Sequence, residues 1–337
     1  MRETRSQKEV HQDEDFARRD TLFALSVYKV HTCPWWFSVT KGTSMEPRDW
    51  KVICHAIRSS DRRVPRVGRR KRFSDPMIVR MYCWTVAHDR PMCWGCDRKH
   101  YTNRMRPKQL PSVSQFSRRL RSVRVQTMLK LVNEYLTRSS RDHSLSFLDG
   151  KAVPLNRSTR DKDARKGYCD GHFVKGYKIH ARASGDGAIT DFCVRPLNEA
   201  EPRVAHALVT SVPPGALVLA DANYDSAALY EAVHRRDAQL FTPLKGMSKR
   251  PERLRRMGEG RRIAVQWWQE MPSACKRLVH VRAAVERVFS AFSCCGGGFT
   301  TLPPWARGLH RVTSWITAKI ILYNARVKGE MNLRMSA

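Results

Sequence analysis

A chain of 337 residues, 42% hydrophobic and 9% aromatic, is long enough for one large domain or two smaller ones with real cores. Its 62 Lys and Arg against 31 Asp and Glu do not fit an ordinary metabolic enzyme. The formal charge of +31 implies a polyanionic partner, most simply the phosphate backbone of nucleic acid.

The positive charge is unevenly placed. Residues 1–50 hold 8 basic and 8 acidic side chains, whereas residues 51–140 hold 22 and 5. The first 50 residues, with Trp35-Trp36-Phe37, show no clear period. Residues 58–74, which include Arg69-Arg70-Lys71-Arg72, read as a linker or a phosphate-binding arm. A buried helix is expected over 76–87. A capped helix should begin at Ser112, after Pro111, and carry Arg118, Arg119, Arg121 and Arg124. Apolar residues at Val125, Met128, Leu129, Val132 and Leu136 predict an amphipathic helix. Residues 1–140 are therefore expected to form a basic, mainly helical DNA-binding region.

After residue 140 the pattern changes. Strands are expected over 146–153, 173–183 and 188–194, the last two joined by the turn Ser184-Gly185-Asp186-Gly187. A helix over 202–211, a strand over 217–221, a helix over 226–235 and a strand over 239–243 follow. Helices over 273–292 and 309–328 complete the order. That order is the order of an RNase-H-like α/β fold, a mixed sheet flanked by helices, over residues 141–330.

Three acids stand out on this frame. Asp149 ends the apolar run Ser146-Phe147-Leu148, Asp221 ends Leu217-Val218-Leu219-Ala220, and Glu286 lies in the helical stretch 281–289. In this fold the strands ending in Asp149 and Asp221 are neighbours, and the later helix crosses the same edge. Three carboxylates close together demand cations, and hard oxygen ligands suit Mg²⁺ or Mn²⁺. Two such ions can activate a water or a 3′-hydroxyl and stabilise the leaving oxygen of a phosphoryl transfer. Taken alone each aspartate is weak evidence, since an acid at a strand end is often a helix cap or turn residue. For Asp221 a cap of the helix that follows is the alternative.

Phe147-Leu148-Asp149-Gly150-Lys151, Leu219-Ala220-Asp221-Ala222-Asn223-Tyr224 and Arg282-Ala283-Ala284-Val285-Glu286-Arg287 together resemble the three blocks of the DDE transposases of bacterial insertion sequences. The likeness is to the insertion-sequence four and five families, whose glutamate block reads Arg-x-x-x-Glu. Gly176-Tyr177-Lys178-Ile179-His180 and Leu110-Pro111-Ser112-Val113-Ser114 resemble further parts of that group. The resemblance implies Asp149, Asp221 and Glu286 as ligands of two Mg²⁺ or Mn²⁺ ions, with Arg282 and Lys178 on DNA. It also implies DNA partners (terminal inverted repeats and target DNA) and a homodimer on paired ends. Two positions depart from the family pattern. Val279 stands where a Tyr is frequent and Ser293 where a Lys or Arg is frequent. A non-catalytic DNA-binding protein and a nuclease of the same fold are the rival readings.

The remaining signals are weaker. Cys93, Cys96 and His100, with Cys83 or His88, have the residue types of a zinc site but lack a second clean pair. Cys294-Cys295 reads as a turn, and His180 as a packed or DNA-facing histidine. Trp267-Trp268 reads as a packed aromatic pair, with stacking on a flipped base as the alternative. No phosphate-binding loop or dinucleotide fingerprint is present, so ATP or NAD use has no support. No apolar stretch approaches the roughly 18 residues of a membrane span. Residues 1–9 lack the apolar core of a signal peptide. A soluble, cytoplasmic, nucleoid-associated protein with reduced cysteines is expected.

Overall fold

The computed structural model describes residues 45–65, 71–102, 107–138, 144–156, 159–245, 257–294 and 302–336. Trp35-Trp36-Phe37, Arg69-Arg70 and Cys295 lie outside the described residues.

Helices come first. They are α1 (Pro47–Asp61), α2 (Asp75–Ala87), the single turn α3 (Met92–Gly95), α4 (Val113–Leu120) and α5 (Val123–Thr137). Their starts follow from capping chemistry. Ser74 accepts from the Met77 amide at the head of α2, with Pro76 in the first turn. Ser112 and Gln115 cap α4 reciprocally, each side chain bonded to the other's backbone. Helix α1 was not expected. Its buried Trp50, Ile53, Ala56, Ile57 and Ser60 form one helical face, so the span read as linker is helical as far as Asp61.

The sheet contains β1 (Leu145–Pro154), β2 (Arg165–Cys169), β3 (His172–Ser184), β4 (Ile189–Pro196), β5 (Leu217–Ala220) and β6 (Gln239–Phe241). Its order is β2-β3-β1-β5-β6, with β4 on β3. Strands β1, β3 and β4 are antiparallel, and β5 and β6 run parallel to β1. Gly176 pairs with both Pro154 of β1 and Arg165 of β2, so β2 and β4 share the edge of β3 that faces away from β1. Helix α6 (Glu201–Leu208) follows β4, and α7 (Ala227–His234) connects β5 to β6. The connection and strand order make the fold RNase-H-like, as the element order predicts. Strand β2 is the addition: its exposed Arg165, Lys166 and Tyr168 give no apolar alternation to find it by.

After β6 come α8 (Glu259–Glu270), α9 (Pro272–Arg282), α10 (Ala284–Ser293) and α11 (Leu309–Ser336). The continuous helix expected over 273–292 is two helices meeting at Ala283, and α8 was not expected. Gly260 lets α8 pass close over α7, since a Cβ there would sit 2.8 Å from the Tyr230 carbonyl oxygen.

Helix α11 is the axle of the molecule. It is apolar or buried nearly all round from Ser314 to Val327 and touches α1, α2, α5, α10 and β4. Asn324, 1% exposed, accepts from the Ile189 amide (2.9 Å) and donates to Asn133 Oδ1 (2.7 Å), joining α11, β4 and α5. One hydrophobic cluster runs from Trp50 and Val79 through Phe147 and Ile179 to Ile316 and Tyr323. A second, smaller one lies on the opposite sheet face, around Leu148, Val218, Leu229 and Tyr230. The helical N-terminal region and the sheet thus share a core.

Candidate phosphoryl-transfer site

Register places the first two acids. Leu148 pairs with Ala220 in the parallel β1–β5 ladder, so the next residues, Asp149 and Asp221, emerge side by side on adjacent strands about 4.8 Å apart. Asp149 accepts from the Gly150 amide at 2.7 Å. Asp221 accepts from Asn223 twice, from its amide at 2.8 Å and its side-chain amide at 3.3 Å. Asp221 therefore caps the turn Ala222–Tyr224. A carboxylate has about four acceptor positions, so the cap leaves lone pairs for other partners.

Burial dominates the electrostatics. It pushes the Asp149 carboxyl up to about 6, and the neighbouring Asp221 and Glu201 charges add to that; Gly150 and Arg282 act against it. Two residues here were not anticipated. Glu201, at the start of α6, is 12% exposed and takes the Lys178 ammonium at 2.5 Å, directly over Gly150. Tyr224 is fully buried, and burial first, then Glu201, Asp149 and Asp221, drive its hydroxyl well above the ordinary range. Tyr224 Oη and Glu201 Oε2 are buried without a hydrogen-bond partner. A pattern of acids at strand ends could not reveal them, because Glu201 enters from the other sheet face.

Glu286 is placed differently. Val285, Val288, Phe289 and Phe292 bury one face of α10 against β1 and α11, which turns Glu286 outward. It is 63% exposed and accepts from Arg282 Nη2 at 2.9 Å. Arg282, 19% exposed, also lowers the Asp149 carboxyl, so its charge acts on both that aspartate and Glu286. The structure brings Asp149 and Asp221 together, while Glu286 is turned to solvent on its pair with Arg282. Among the described residues no group of three or more His, Cys, Asp or Glu is arranged to hold a metal ion.

The predicted DNA contacts also divide. Arg119 (2.5 Å) and Arg124 (2.9 Å) both bind Asp75, whose side chain is 8% exposed, and Arg119 donates to the Phe73 carbonyl as well. Arg118 and Arg121 are exposed. Lys178 is committed to Glu201. A groove of about 720 Å³, lined in part by Lys51, Arg58, Arg72, Arg80 and Lys108, lies across α1 and α2. It brings together cations that the sequence scatters over 58 positions.

The weaker signals resolve into packing. The Trp94 and His100 rings stack at 4.3 Å, with His88 at 5.0 Å from Trp94, and Cys93 is exposed. His180 is fully buried, and burial lowers its pKa to about 4. Trp267 is 2% exposed, while Trp268 stacks on Phe241 at 5.6 Å and donates to the Thr242 carbonyl. Val279 packs against the main core, and Ser293 donates back to the Phe289 carbonyl at 2.6 Å. No helix is long and apolar enough to cross a membrane among the described residues.

The profile of the transposase DDE domain family matches residues 140–325, more than half of the chain. The chain belongs to that family. Among curated proteins none matches it in sequence. In three dimensions it is similar to the piggyBac transposase synaptic complex with hairpin DNA, at a TM-score of 0.45 and 10% identity over 87% of this chain and 74% of that one. It is also similar to the Mos1 transposase paired-end complex with left transposon end, at 0.23 and 12% over 70% and 82%.

Proposed function

We propose that this protein is a transposase that cuts and joins DNA at the ends of its own insertion sequence. The observation that carries the reading is the register-fixed pair Asp149 and Asp221, with the charge of Arg282 acting on Asp149. The metal ions implied by the family suit the residues at hand. Asp149 is buried at an electrostatic cost, Asp221 has free lone pairs, and the polar atoms Glu201 Oε2 and Tyr224 Oη lack partners. Asp149 and Asp221 would hold Mg²⁺ or Mn²⁺, with Glu286 joining from α10. Such a pair of ions supplies Lewis-acid activation of the attacking oxygen and charge stabilisation of the leaving one.

The chain's own residues do the rest. Arg282, whose charge acts on Asp149, would take phosphate oxygens brought to the aspartate pair, and its planar fork can hold two of them. In that position it gives up Glu286, which is then free to turn inward. Lys178 and Glu201 wall the Gly150 side of the site. No covalent enzyme–DNA intermediate is required, so no nucleophilic Ser, Tyr or Cys is assigned. End recognition falls to the basic region 1–140, through Arg118, Arg121 and the groove cations. Arg119 and Arg124 brace that surface from Asp75. Both ends must be processed in one event, so a homodimer on paired ends is expected. The net charge of +31 opposes that dimer until DNA phosphates screen it.

The test is incubation with Mg²⁺, labelled duplexes from the DNA flanking the coding frame, and target DNA. Joined product supports a transposase; cleavage without joining means a nuclease of the same fold. A shifted but uncut band means a decayed or regulatory DNA binder. That last reading has its own support in Val279, Ser293 and the outward Glu286.

A further inference from the structure

Strands β2 and β3 form a hairpin whose tip carries two exposed aromatic side chains. Cys169 pairs with His172 across the two-residue loop Asp170-Gly171, with φ of 49° and 83°. Both central residues are left-handed, so this is the tight turn that matches strand twist. Just below the tip, Tyr168 and Phe173 face each other across the ladder, ring centroids 5.6 Å apart and near perpendicular. They are 66% and 77% exposed. Single exposed apolar residues need no explanation, but a projecting arm ending in a paired aromatic surface does.

We infer that this hairpin is a DNA-docking arm, whose Tyr168–Phe173 pair stacks on bases of the transposon end some way from the cleaved bond. This rests on the transposase reading above. Charge selects the occupant. Two positions inward, the next cross-strand pair on the same face is Lys166 opposite Lys175, and His172 lies at the tip, with Asp170 the one acid of the hairpin. A basic stem with aromatic rings at its end is suited to a phosphate backbone and base faces. A second copy of this chain is a poorer fit, because the stems would repel. Two aromatic rings also bury at most about 500 Å², below the roughly 800 Å² per partner of a stable interface.

Register also sets the distance. Residues opposite one another share a sheet face, and Asp149 lies opposite Ala181, eight positions along β3 from Phe173. Tyr168, Phe173, Lys175 and Asp149 therefore lie on one face, separated by about 26 Å of strand, or roughly 8 base pairs of duplex. Between them Tyr177 and Ile179 are buried. The arm is thus a second contact point rather than an extension of the cleavage site.

The double variant Tyr168→Ala/Phe173→Ala tests this, alongside wild type and Asp149→Ala. The probes are duplexes of flanking DNA with 2-aminopurine about 8 base pairs from the cut. Wild type should raise the probe's fluorescence, and the double variant should lose that rise and bind at least about tenfold more weakly, with unchanged thermal midpoint. Lys166→Ala/Lys175→Ala should reduce the salt dependence of binding by about two phosphates. Wild-type affinity and cutting by the aromatic variant would overturn the arm while leaving the transposase reading intact. So would a wild-type dimer without DNA that the variant loses, which would assign the rings to a protomer interface. If wild type and Asp149→Ala are equally unable to cut, the transposase reading fails, and the fluorescence arm still decides whether the hairpin touches DNA.

Discussion

The two halves of the site hold their acids in opposite states. At the β1–β5 edge, Asp149 is fixed by strand register and kept in a poorly solvated position that raises its proton affinity to about 6. On α10, Glu286 stands in solvent with an arginine for company. On the proposed reading, the difference separates a preorganised part of the site from a movable one. Sheet register cannot slip by one residue without turning Phe147 out of the core, so the aspartates keep their place at a standing electrostatic cost. A side chain on an exposed helical turn can change partner by rotamer alone.

The largest effect should come from the fixed half. Asp149→Ala and Asp221→Ala should each lower strand cleavage by about a thousandfold or more, with DNA affinity within about threefold of wild type. Gel-shift and cleavage assays on the same preparations check this. Either variant cutting at a near-native rate would remove the acid pair from the chemistry.

Next in size is the stability cost of that preorganisation, measured without divalent metal. Asp149 has a folded pKa of about 6 against an ordinary 3.8, so the native state binds its proton more tightly than the unfolded chain does. The associated stability is present below about pH 4 and is lost as pH rises through 6. Asp149→Asn should therefore stabilise the metal-free protein at pH 7.5 by on the order of 1–3 kcal/mol, and have little effect near pH 3.5. Urea titrations at the two pH values read this directly. A destabilised Asn variant at neutral pH would mean that the buried carboxylate is already compensated.

How much of this was legible follows the same division. The acids at 149 and 221 could be read because an apolar run ending in Asp is a local pattern, and neighbouring strands convert it into proximity. Glu286 could be placed on a helix, but its outward turn depends on Val285, Val288, Phe289 and Phe292 finding α11 and β1, contacts far apart in the chain. Glu201 and Tyr224 come from different elements and meet only after the sheet closes. Arg119 and Arg124 looked like free cations on a basic helix, because Asp75 lies 44 positions before the nearer of them. The helices α1 and α8 were missed although their apolar spacing is regular, since charged residues interleave every turn. The strands and the adjacency of β1 and β5 were legible, apart from β2, which is mostly exposed and carries no core pattern.

Arg282 links the halves, so its replacement should give an intermediate effect. It holds the Asp149 carboxyl down and accounts for one partner of Glu286. Arg282→Gln should lower metal-free stability at pH 7.5 by roughly 1 kcal/mol, because an ionised Asp149 then lacks its nearest cation. Below about pH 4 Asp149 is protonated in folded and unfolded chains alike, and that loss should vanish. A loss independent of pH would assign Arg282 to packing.

The smallest effect on stability should be at Glu286. An exposed i,i+4 ion pair is worth about 0.3–0.5 kcal/mol, and long side chains give part of that back in entropy. Glu286→Gln should therefore leave the thermal midpoint of the metal-free protein nearly unchanged, while cleavage with Mg²⁺ falls as steeply as for the aspartates. That split between silent stability and lost activity is what a mobile third ligand requires. It also separates the alternatives cleanly. A purely structural Glu286 would lose stability and activity together, and a decayed site would lose neither. Adding Mg²⁺ should raise the midpoint of wild type more than that of Glu286→Gln, because a ligand present only in the loaded state adds to metal affinity without touching the empty fold. Equal shifts for the two proteins would leave Glu286 outside the metal shell and confine binding to Asp149 and Asp221.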